Sequence, residues 1–152
     1  MKPEDVLDRL MPDLKRDRYQ VTSPADPQYN CIAWASGNDS RWWWPLPAGG
    51  GGNYWPAEIP RECTVERFVQ AFALEGYQPC DGLHLEADVE KVAVYVNGTG
   101  VPTHAARQLP DGRWSSKLGP YVDIEHDAPM DVGGLTAQAY GDVAIVMSRP
   151  RR

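Results

Sequence analysis

The 152-residue sequence is short of several things that would narrow its role at once. Its three cysteines, Cys31, Cys63 and Cys80, are few, odd in number and contain no Cys-x-x-Cys pair, which argues against a disulfide scaffold. The three histidines, His84, His104 and His126, are scattered. Zinc sites draw their ligands from close pairs, so no metal and no other cofactor is expected. Positive charge is scarce too: 15 Lys and Arg stand against 21 Asp and Glu, a net charge of −6 with no basic stripe. A nucleic-acid partner is therefore not expected, because phosphate binding needs clustered Lys and Arg. No apolar run is long enough to span a bilayer. The opening "MKPEDVLDRLMPDLKRDR" is charged throughout and lacks the apolar core of a signal peptide. The expectation is a cytoplasmic protein, with export by a route that uses no cleaved signal left open. With only two phenylalanines, the large rings come from six Trp and seven Tyr.

What is present reads as one domain over residues 1–152. Residues 3 to 11 suit a short amphipathic helix, with Pro3, Glu4 and Asp5 in its first turn and Val6, Leu7 and Leu10 on one face. "TSPADPQYN" is turn chemistry. "CIAWAS" follows as a helix stopped at Gly37-Asn38, with Cys31, Trp34 and Ala35 on a shared face. Residues 38–60 hold four Trp and a run of four Gly, and read as a loop with aromatic anchors. Thr64 caps the helix "TVERFVQAFALEGY". From there the chain turns to strands: "KVAVYVNG", then "THAARQL" and "RWSSKLG" joined at Asp111-Gly112, then "YVDIEH", then "GDVAIVMSR". Helices first and an antiparallel sheet second make an α+β fold.

Cys31 opens a helix, where unpaired N–H groups and the helix dipole favour thiolate over thiol. A nucleophilic Cys needs an imidazole in reach and the imidazole needs an orienting partner. His104 is the best candidate base, since its neighbours Ala105 and Ala106 leave room for a helix end. The plainer reading of Cys31 is core packing, because Cys is among the most buried residue types.

A helix-borne Cys after a turn, in "Tyr29-Asn30-Cys31", and a strand-borne His in "VAVYVNGTGVPTHAARQL" resemble the papain-like cysteine hydrolases. The closest likeness is to the NlpC-type branch of bacterial cell-wall endopeptidases and amidases. The Asn before the Cys departs from the Asp of that pattern. The words "NCIAWA", "WWWP", "YWP", "THAARQL" and "WSSKLG" are also similar to those of a family of small bacterial proteins, a likeness that brings no activity with it. The first resemblance implies helices packed on an antiparallel sheet and a cysteine hydrolase that cleaves an amide or isopeptide bond in a peptide or peptidoglycan-type substrate. Deamidation and acyl transfer would use the same groups. Cys31 would attack, His104 would carry the proton, and a polar residue would steady His104. The pattern implies Ser115, Ser116 or Lys117 for that residue; Asp123 would orient and charge-stabilise it better, and His126 competes. Asp123 and Ser116 are the favoured pair of candidates. Gln28 and the Cys31 N–H would hold an oxyanion, and Trp34, Trp43, Trp44, Trp55 and Lys117 would contact substrate. Two other readings stand beside it. One is a non-catalytic binding, immunity or effector-associated module that uses the Trp-rich loop on a protein partner; the other is a carbohydrate-binding domain whose site is the same loop. The tryptophans also suit a plain lid over the core.

Overall fold

The fold is taken from a computed structural model, which describes residues 2–46, 53–134 and 139–152. The glycine run expected in the 38–60 loop lies outside the described residues. Three helices, α1 (Pro3–Leu10), α2 (Cys31–Ser36) and α3 (Val65–Leu74), accompany seven strands. The strands are β1 (Tyr19–Ser23), β2 (Gln78–Pro79), β3 (Val89–Val96), β4 (Pro102–Gln108), β5 (Trp114–Lys117), β6 (Asp123–His126) and β7 (Asp142–Pro150). They form one sheet in the order β1-β6-β5-β4-β3-β7-β2, with every neighbour antiparallel.

This corrects the expected α+β architecture of N-terminal helices packed on a sheet in the papain-like manner. The helices have 8, 6 and 10 residues and make no layer of their own. The molecule is β-rich and its sheet organises both cores. The N-terminal part is also not purely helical: β1 precedes α2 and pairs with β6 at the far end of the chain. No helix among the described residues is long and apolar enough to cross a membrane.

The local reasons for the elements are ordinary ones. Asn30 caps α2 by accepting from the Ala33 N–H, and Gly37 ends the helix at φ +97°, a conformation costly for any residue with a Cβ. Thr64 caps α3 by accepting from the Arg67 N–H. Asp111 and Gly112 turn β4 into β5: the Asp111 carboxylate accepts from the Arg113 N–H at 2.9 Å.

Alternation along the central strands divides the interior in two. Val92, Val94, Ala105 and Met147 join α2, α3, Trp43 and Trp55 on one face. Ala93, Tyr95, Ala106, Trp114 and Ile124 join Leu7 and Met11 of the α1 region on the other. Each fully buried large side chain, such as Phe68, Phe72 or Ile124, contributes about 1.5–3 kcal/mol by leaving water.

Candidate functional site

Asn30 does more than cap. Its Oδ1 also accepts from the Trp43 N–H at 3.0 Å, and its Nδ2 donates to the Trp43 carbonyl at 2.7 Å. One amide thus ties the Trp-rich segment to the start of α2. An aspartate could not make the donated bond, which accounts for Asn at this position.

Cys31, the first residue of α2, is only 6% exposed. Burial pushes its pKa up to about 11; the backbone N–H groups of Ala105, Ile32 and Cys31 itself, and the Lys117 charge, pull the other way without prevailing. The thiol is therefore protonated at neutral pH. The expected depression by the helix start is present but smaller than the loss of hydration.

His104 is fully buried on β4. It pairs with Tyr95 across β3, while Ala105 pairs with Val94. Alternation sends Ala105 to the core that holds Cys31, and His104 to the opposite face with Tyr95 and Tyr140. Its Nδ1 has no hydrogen-bond partner among the described residues, Cys31 included. Its Nε2 lies 2.9 Å from Ser116 Oγ, and that oxygen lies 2.7 Å from His126 Nε2. So the structure brings together His104, Ser116 and His126, and hydrogen-bonds none of them to Cys31.

Asp123 is not the partner of His104. Its Oδ2 accepts from the Tyr29 hydroxyl at 2.9 Å, and its Oδ1 has no partner among the described residues. Gln28 is exposed in the preceding turn, where its N–H donates to Asp26. Lys117, expected on substrate, is wholly buried and its ammonium is consumed internally. It donates to the carbonyls of Asp26, Gly119 and Tyr121 at 2.6, 2.9 and 2.6 Å and sits over the Tyr29 ring. Burial lowers its pKa, partly offset by Asp123 and Asp26.

The tryptophans divide by role. Trp34 donates to Ser115 Oγ at 2.9 Å and carries the Arg107 guanidinium on its ring, which fastens α2 to the sheet. Trp43 and Trp55 are core residues, each 4% exposed, with ring contacts to Tyr54 and Phe68. Trp42 and Trp44 instead wall a cavity of about 280 Å³ whose lining includes Asn30, Cys31, Thr103 and Tyr140. Trp44 also meets Phe68 edge-on, so it is both anchor and wall.

Tyr140 escaped notice in the sequence. It stacks flat on His104, with centroids 3.9 Å apart and planes 5° apart, and lines this cavity and a second one beside α1. The signal lay in the residue after it. Gly141 has φ +89°, and a Cβ there would fall 1.9 Å from the Val96 carbonyl, so the chain passes too close to β3 for any side chain. That close approach seats Tyr140. No group of three or more His, Cys, Asp or Glu among the described residues could hold a metal ion.

A family model described as a domain of unknown function (DUF7689) matches residues 20–148, from β1 through most of β7. No curated protein and no solved structure matches the chain.

Proposed function

This chain belongs to the DUF7689 family, and we propose that it acts as a binding module whose recognition site is the cavity between the start of α2, the Trp42–Trp44 segment and Tyr140. The carrying observation is the construction of that cavity. Two indoles and a phenol surround about 280 Å³ of space, and three polar side chains that line it bond within the fold: Asn30 to Trp43, Asn53 to the Leu46 carbonyl, and Thr103 to the Tyr140 carbonyl. Such a space suits an apolar or aromatic side chain of a protein partner, held by area burial and ring contacts. The thiol at its edge is buried and protonated, which suits a wall better than a nucleophile.

The test is selection of a displayed peptide library on the intact protein, with Trp44→Ala for comparison. Enrichment of sequences with a recurrent apolar or aromatic residue, lost on Trp44→Ala, supports the reading. No enrichment, or enrichment indifferent to Trp44, overturns it.

A second reading, the cysteine hydrolase, is favoured by one observation: Cys31 opens α2 and lines the cavity, where the backbone N–H groups of Ala105, Ile32 and Cys31 lower its pKa against the effect of burial. In that reading the sulfur bonds to an amide carbonyl carbon, the C–N bond breaks, the amine leaves with a proton, and water releases the acid from the thioester. The N–H groups would receive the developing oxyanion. This reading requires Cys31 to be the most reactive of the three thiols, and Cys31→Ala to abolish turnover of a peptide amide.

A further inference from the structure

Tyr140 is held at three points. Its N–H donates to the Val132 carbonyl at 3.1 Å, its carbonyl accepts from the Thr103 hydroxyl at 2.5 Å, and its ring lies flat on His104. The phenol is thus in place before any ligand arrives, and a donor fixed in advance loses little freedom on binding. Those two backbone bonds are all that Tyr140 makes among the described residues, so its hydroxyl is an unspent donor. The other buried tyrosines differ. Tyr29 donates to Asp123 and Tyr95 to the Pro129 carbonyl, while the hydroxyls of Tyr19 and Tyr77 lack partners but are sealed inside the protein. Tyr140 is only half-buried and lines two cavities, the Trp42–Trp44 cavity and one of about 220 Å³ beside α1. His104 covers one face of its ring, so the cavities meet the other face and the hydroxyl edge. Burial pushes the Tyr140 pKa up, and Cys31, which lines the Trp42–Trp44 cavity, adds to the rise. The hydroxyl therefore lies toward the Cys31 side of that cavity and keeps its proton at neutral pH. Of the two hydroxyls in the lining, Thr103 bonds inward, which leaves the phenol to face an occupant.

We propose that Tyr140 is the polar specificity residue of the Trp42–Trp44 cavity: its hydroxyl donates a hydrogen bond to a carbonyl oxygen of the occupant, beside the apolar or aromatic group that the indoles hold. The proposal rests on the binding reading above and adds to it the second half of the ligand's chemistry, a neutral acceptor such as the backbone amide adjoining an anchored side chain. A carboxylate is a poor fit, because the lining holds no Lys, Arg or His to meet its charge.

The experiment titrates the intact, nitrogen-15-labelled protein with acetophenone and with ethylbenzene, which differ in the carbonyl, and follows the indole N–H signals of Trp42 and Trp44. Tyr140→Phe keeps the ring and removes the hydroxyl. Acetophenone is expected to bind the wild type roughly fivefold more tightly than Tyr140→Phe, the yield of one hydrogen bond, while ethylbenzene does not weaken. Equal loss for the two probes, or none for acetophenone, overturns the proposal. A second measurement needs no variant: with the tyrosine Cζ carbons labelled in the wild type, acetophenone should move the Tyr140 Cζ signal and ethylbenzene should not. A Tyr140 signal that treats the two alike also overturns it. If the indoles respond to both probes and Tyr140 does not distinguish them, this proposal fails and the cavity reading survives; if the indoles respond to neither, both fail.

Discussion

Asn30 and Trp43 exchange two hydrogen bonds: the side-chain amide donates to the Trp43 carbonyl at 2.7 Å, and the Trp43 N–H returns one to Oδ1 at 3.0 Å. The join is buried, and through it the start of α2 holds one wall of the cavity.

Asn30→Asp tests that join. The carboxylate keeps the acceptor and the cap but faces the Trp43 carbonyl with oxygen instead of N–H. A loss of about 1–3 kcal/mol in unfolding free energy is expected from urea titration, with altered Trp fluorescence in the folded state. An unchanged urea midpoint would show that the two bonds carry no net stability.

The thiols should separate by environment. Burial pushes the Cys31 pKa up to about 11, so alkylation by iodoacetamide at pH 8 should be slowest at Cys31 and should rise only as the pH approaches that value. Half-buried Cys63 and Cys80 should react first. Mass mapping of the labelled peptides decides it. Faster labelling at Cys31 would favour the hydrolase reading over the binding reading.

Acid should destabilise the protein through its two buried imidazoles. His104 is held neutral by burial and by the adjacent His126, with Tyr95 and Tyr140 against its ring. His126 is held neutral chiefly by burial; the Ala128 carbonyl, Asp131 and Asp127 oppose this, and Arg113 adds to it. In the unfolded chain both take up protons near pH 6.5, so below that value the unfolded state binds more protons and stability falls. The slope reaches about 1.4 kcal/mol per pH unit for each histidine and persists until the folded-state values are reached. Urea midpoints at pH 7.5, 6.0 and 5.0 should decline accordingly, and less steeply for His126→Asn. A flat profile over that range would contradict the buried neutral assignment.

Lys117→Met should be costly although no ligand is involved. The substitution strips three backbone carbonyls, those of Asp26, Gly119 and Tyr121, of their shared donor. A loss of about 3 kcal/mol is expected, read as a lower melting temperature. Lys117→Arg should not restore it, because a planar fork cannot replace a compact three-way donor. Wild-type stability in Lys117→Met would return the residue to the list of candidate ligand contacts.

Much of the local structure was legible in the sequence. Asn30 and Gly37 bracket α2, Thr64 starts α3, Asp111-Gly112 turns β4 into β5, and the apolar run of β7 reads as a strand. Two strands were missed: β2 is only two residues long, and β1 is five residues between charged Arg18 and Pro24, with its partner β6 about a hundred positions away, beyond the reach of any local pattern. The site was harder for a different reason. Cys31 and His104 were both rightly placed on their elements, yet the parity of β4 decides which of Ala105 and His104 faces α2, and parity cannot be read without knowing where α2 lands. The tryptophans pose the same difficulty. Trp42, Trp43 and Trp44 are consecutive, and only the pairing of Trp43 with Tyr54 turns the middle one inward and leaves its neighbours to the cavity.

The pairing of Tyr19 with His126 has a kinetic meaning. Joining β1 to β6 closes a very long loop, so this contact must wait until the β3–β6 meander has assembled. During biosynthesis residues 19–23 emerge early and then idle as an unclaimed ribbon while more than half of the chain is made. One outer seam of the sheet, β1–β6, thus joins residues made early to residues made late.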